Sequence, residues 1–149
     1  MEVTELMIGD YVKFKEDIYI FEEISAQGWV HLIYPDTGIR VNIISDYIMH
    51  LLEPVPLTPE ILKLNGFNEI LTGLYSYDIK YKLNIGVLFL PNTKEGESKI
   101  VVNINCPSSH EDGSNILHTC DINHVHEFQH ALKLLGLNNL ADTFKVKNN

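Results

Sequence analysis

Glu53–Phe67, EPVPLTPEILKLNGF, is the stretch whose reading decides the fold. Thr58 is a good N-cap, because its hydroxyl can accept a bond from an otherwise unpaired helix amide. Pro59 follows at the first helical position, where its missing N–H costs nothing. Leu57 and Leu62 occupy the two positions of a hydrophobic staple. Gly66 is placed for a left-handed helix stop, with Phe67 folding back towards Leu62. The spacing therefore predicts a short helix over about 59–65 that separates two differently patterned halves. The expected segments are 1–56 and 57–149.

Upstream of this helix the pattern is short strands between turn signals. Val12 and Phe14 alternate with Lys13 and Lys15 in the first, and Ile18–Ile24 follows the polar pair Glu16-Asp17. Trp29–Tyr34 begins after Gly28, and Pro35-Asp36-Thr37-Gly38 turns the chain into Ile39–Ile44. Ser45-Asp46-Tyr47-Ile48 reads as one helical turn before a last short strand at about His50–Glu53. Four or five short strands with a helical turn before the last imply an SH3-like small β-barrel.

Downstream, Tyr75, Tyr77, Ile79, Tyr81 and Leu83 alternate with polar residues, as in a half-buried strand. Gly86–Leu90 and Lys99–Asn105 read as further strands, giving an antiparallel meander over about 75–105 with a polar loop at Pro91–Ser98. Cys106–Cys120 reads as a long polar loop. From about Asp121 to Leu135, apolar residues recur at helical spacing, and Gly136 can end that helix. The helix is expected to pack on the meander, and Thr143–Lys147 reads as a short final strand. The fold class is α+β.

Composition bounds the function. The 149 residues are 45% hydrophobic and 21% charged, ordinary values for a globular protein. No apolar run approaches the roughly 18 residues that cross a bilayer, and MEVTELMIGD lacks the basic and apolar regions of a secretory signal. Cytoplasmic residence is the expectation, with Cys106 and Cys120 as free thiols rather than a disulfide. The net charge of −9 is uneven: residues 1–52 carry three basic and nine acidic side chains, or −6. A field of that sign opposes phosphate backbones, so nucleic acid is a poor partner and a basic or neutral protein a better one.

One motif carries chemistry. His126-Glu127-Phe128-Gln129-His130 is H-E-x-x-H on a predicted helix, where two imidazoles one turn apart can share a zinc ion and the Glu can act as general base on bound water. Over these five residues the chain resembles the zincin metallopeptidases. That resemblance implies His126 and His130 as zinc ligands and Glu127 as the catalytic base. Catalytic zinc wants a third protein ligand, and Asp142 is the only plausible oxygen ligand after His130. His110, His118, Cys120 or His124 would have to serve from upstream. The helical period places His126 and His130 away from the apolar stripe, towards solvent or a neighbouring lobe. The plainer reading is a polar helix face that carries histidines, with no catalytic, cofactor or metal residue in the chain. His31 and His50 read as structural histidines, Trp29 and the tyrosines as core or interface side chains. Ser108-Ser109-His110 is not a nucleophile–base pair by adjacency alone.

Three segments together, Leu6–Val12 (LMIGDYV), Leu52–Phe67 (LEPVPLTPEILKLNGF) and Val125–Gly136 (VHEFQHALKLLG), resemble an uncharacterised family of small proteins from gut anaerobes and their phages or integrated elements. His130 departs from the family pattern, which more usually has Asn there. The resemblance implies the order of elements and a mobile-element origin, and brings no activity. The resulting expectation is a non-enzymatic protein-interaction module. Its alternatives are a zinc-dependent hydrolase on the HEFQH helix and a self-associating structural protein.

Overall fold

A computed structural model describes residues 6–44, 50–79, 83–90, 99–107 and 114–147, with the backbone alone described for residues 83, 99–107 and 114–121. The chain divides into two compact units. One joins Met1–Pro56 to His124–Asn149, and the other is Leu57–Asn123. The expected helical turn at Ser45–Ile48, the loop at Pro91–Ser98, Tyr81 and the Ser108–His110 stretch lie outside the described residues.

In the first unit, strands β1 (Tyr11–Phe14), β2 (Asp17–Ile24), β3 (Trp29–Ile33), β4 (Arg40–Ile44) and β5 (Leu52–Pro54) form an antiparallel sheet in the order β4-β3-β2-β1-β5. The strand positions follow the expected alternation. Val12, Phe14, Tyr19, Phe21, Val30, Leu32 and Leu52 point to one side and make the buried cluster. Among the described residues the sheet does not close, because β4 and β5 are its two edges. The expected barrel is thus an open five-stranded sheet.

The second unit opens with helix α1 (Pro59–Leu64). Thr58 Oγ1 accepts from the Ile61 amide at 3.4 Å. At the other end the Phe67 amide reaches the Leu62 carbonyl and the Gly66 amide the Lys63 carbonyl, both at 3.1 Å. That is the paired stop a glycine permits, and Gly66 has φ +84°. Strands β6 (Asn68–Leu71), β7 (Leu74–Ile79), β8 (Leu83–Leu90), β9 (Lys99–Pro107) and β10 (Ser114–Asp121) follow as a meander in the order β10-β9-β8-β7-β6.

Three expectations for this region are corrected. Leu83 belongs to β8 and pairs with Ile79 rather than continuing that strand. Cys106, Pro107 and Ser114–Asp121 are strand rather than loop, since Ser114–Asp121 pairs with β9. β6 was not foreseen, because four exposed residues beginning Asn-Glu carry no strand periodicity. The ladder also places the cysteines. Cys120 lies opposite Val102, four positions along β9 from Cys106. At about 3.3 Å per residue the two are well beyond disulfide reach.

The chain then returns to the first unit. Pro56 and His124 form an antiparallel bridge, and the Val125 amide bonds the Val55 carbonyl at 2.9 Å. Because this extended return occupies residues up to 124, helix α2 starts only at Val125 and runs to Leu134. Gly136, at φ +74°, ends it as expected. The helix belongs to the first unit, where Gln129 and His130 bond Gly9 and Asp10. A last helix, α3 (Asn138–Asp142), was not expected. Residues 144–147 are not a strand. Their alternation is real, because Phe144 and Val146 are buried, yet no ladder forms there. The Phe144 carbonyl instead accepts from the Tyr11 hydroxyl at 2.8 Å. No helix of the described residues is long and apolar enough to cross a membrane.

Candidate functional site

The residues with chemistry gather where the N-terminal turn meets α2. Gly9 takes φ +94°, and its amide bonds the Phe21 carbonyl at 2.8 Å while the Phe21 amide bonds the Asp10 carbonyl at 2.8 Å. This clamps the turn to β2 and sends the Asp10 side chain inward, where it is fully buried. A carboxylate in that position is costly unless bonded. Asp10 Oδ2 accepts from the Met7 amide at 2.7 Å, and both its oxygens face His130 Nε2, at 2.8 and 3.0 Å.

Gln129, also buried, ties three segments together. Its Nε2 donates to the Gly9 carbonyl and to the Ala141 carbonyl, both at 3.2 Å, and its Oε1 accepts from the Tyr11 amide at 3.4 Å. The segments LMIGDYV and VHEFQHALKLLG, far apart in sequence, thus meet through Gly9, Asp10, Gln129 and His130. Asp10 was missed by the reading of the sequence. The only signal for it was a lone acidic residue after a glycine inside an apolar stretch.

The other members of HEFQH are similarly engaged. Glu127 Oε2 accepts from the His124 amide at 3.0 Å and Oε1 lies 3.2 Å from His124 Nδ1, so this carboxylate serves the start of its own helix. His126, expected to face solvent or a neighbouring lobe, is only 4% exposed. It stacks on His124 at 5.7 Å and meets the edge of His130 at 5.9 Å. Its Nδ1 is buried without a hydrogen-bond partner. Burial pushes the His126 imidazole below its ordinary value; the carboxylates of Glu127 and Asp10 oppose that shift, and the neighbouring His124 and His130 add to it.

His130 Nε2 is taken by Asp10 and the Glu127 carboxylate by the helix start. No group of three or more His, Cys, Asp or Glu able to hold a metal occurs among the described residues. Of the upstream ligands considered, His110 lies outside the described residues and His118 and Cys120 stand on β10. His124 precedes the helix. His31 bonds Asn42 across the β3–β4 pair at 2.7 Å, the structural role expected of it.

A second cluster is apolar. On the outer face of the first sheet Trp29 pairs across strands with Ile44, and they are 40% and 54% exposed. No family model, curated protein or solved structure matches the chain.

Proposed function

We propose that the protein is a non-enzymatic protein-interaction module. The observation that carries this reading is the exposed Trp29–Ile44 pair beside the β4 edge of an acidic sheet, a placement that suits contact with another chain. Support also comes from α2, whose His130, Glu127 and Gln129 are engaged in internal bonds. The strand order β4-β3-β2-β1-β5, in which the last strand returns to pair with the first, supports an SH3-like relationship by fold analogy. A mobile-element origin rests on the three-segment resemblance, and a reducing cytoplasmic setting on the separated cysteines.

The test is cross-linking and affinity capture with wild type and Trp29→Ala, Ile44→Lys at several salt concentrations. A partner captured by wild type and lost in the double variant supports the module. Capture that ignores the variant, or none at any salt, overturns it.

One observation favours the zinc hydrolase, the unpartnered Nδ1 of buried His126. Elemental analysis after zinc supplementation separates the two. One zinc per chain, lost in His130→Asn, would support the hydrolase with His126 and His130 as ligands and Glu127 as base. Metal-free protein sinks it. Self-association through strand edges is tested by light scattering.

A further inference from the structure

The β4 strand has the features of an edge that accepts another strand. Among the described residues it pairs only with β3, in an unbroken register from Trp29↔Ile44 to Ile33↔Arg40. Natural edges are usually blunted by lysine, proline or a bulge. RVNII has no lysine, proline or bulge and is rich in β-branched residues; its one charge, Arg40, sits at the start of the strand and is ion-paired with Glu22. Val41 and Ile43 lean onto the buried cluster and leave a partly open apolar rim. Ile39, just before the strand, is 59% exposed. On the opposite face Trp29 and Ile44 supply a second apolar contact.

Charge selects the occupant. Residues 17–44 hold Asp17, Glu22, Glu23 and Asp36 against Arg40 alone, a balance of −3. Arg40 is itself ion-paired with Glu22 across the sheet. An acidic strand or a second copy of this chain, at −9, meets like charge; a basic one meets opposite charge.

We infer that β4 takes a basic, extended peptide segment as a sixth strand, with aliphatic side chains against Trp29–Ile44 and lysines or arginines over the acidic surround. This rests on the interaction-module reading and names its partner class. Main-chain bonds along β4 supply affinity in such an arrangement, and alternate side chains supply specificity.

Trp29 is the chain's single tryptophan, so its fluorescence reports on the site directly. The full-length protein is titrated with three ten-residue synthetic peptides: alternating Lys and Val, alternating Glu and Val, and the Lys–Val peptide N-methylated at alternate residues. The Lys–Val peptide should shift Trp29 emission saturably and weaken as salt is raised. The acidic and N-methylated peptides should each bind at least about tenfold more weakly. Ile44→Lys, an exposed change checked for folding by circular dichroism, should reduce Lys–Val binding to a similar degree.

No saturable shift, or equal binding of basic and acidic peptides, overturns the proposal. So does a salt-sensitive shift that survives N-methylation, since that is charge without strand pairing. Dimerisation on light scattering that the Lys–Val peptide cannot reverse would assign the edge to a second copy instead. If the peptides fail while Trp29-dependent capture of a partner persists, this inference falls and the module stands. If both fail, both fall.

Discussion

Asp10 carries more of the structure than its single position implies. Fully buried, it holds the Met7 amide and faces His130 Nε2 with both oxygens. Replacing it by alanine leaves those donors without their acceptor in a closed site. Asp10→Ala should cost about 2–3 kcal/mol in denaturant unfolding. Asp10→Asn keeps the shape and one acceptor, and should cost about half as much. Equal losses for the two would show that packing, not the bonds, matters there. His126 makes a pH prediction at the same scale. Its folded value lies below the ordinary 6.5, so between the two values the unfolded chain binds the proton and the folded one does not. Stability should therefore be full above about pH 6.5 and fall as pH drops through that value towards the folded one. The difference between wild type and His126→Gln isolates this contribution from Asp10, His124, His130 and Glu127. A difference that stays flat between pH 5 and 8 would refute it.

At the scale of the element, α1 shows how far local chemistry alone can carry a structure. Its cap, its proline and its glycine stop were all readable, and each appears where the residues place it. Gly66 has only ordinary room around an added Cβ, with Tyr77 Cε2 at 3.5 Å, so conformation decides the cost. At φ +84°, Gly66→Ala should lose about 1–2 kcal/mol. A stabilised variant would mean the helix stop is not held in the left-handed region. The elements that local chemistry did not reveal are instructive. β10 reads as polar loop because SNILHTCD has no clean alternation, and its strand identity comes from the ladder with β9. α3 has five residues and no helical period.

For the whole molecule, the decisive feature is that the chain leaves the first unit at Pro56 and re-enters it beside the same point at His124. The bond from the Val125 amide to the Val55 carbonyl and the bridge between Pro56 and His124 belong to the first unit alone. The second unit is thus an insertion. Replacing Leu57–Asn123 by a turn of about four residues should leave a protein that unfolds cooperatively, because closing so short a gap costs little chain entropy. Trp29 fluorescence and circular dichroism would follow the unfolding. A non-cooperative, dye-binding product would show that the first unit depends on its insert.

Sequence by itself determined the elements whose causes lie within a few residues. These are the capped helix at 59–65, the alternating strands of the first sheet and the helical stripe ended by Gly136. It also exposed the HEFQH pattern, because spacing along one helix is a local property. Only the tertiary structure decided what that pattern does here. Asp10 lies 120 residues from His130, and no local signal records that a buried carboxylate waits for it. The same holds for the place of α2 within the first unit, and for the burial of His126. Periodicity along α2 marks one apolar face, whereas burial depends on everything that folds back over the helix, and that was settled by the return of the chain to Val55.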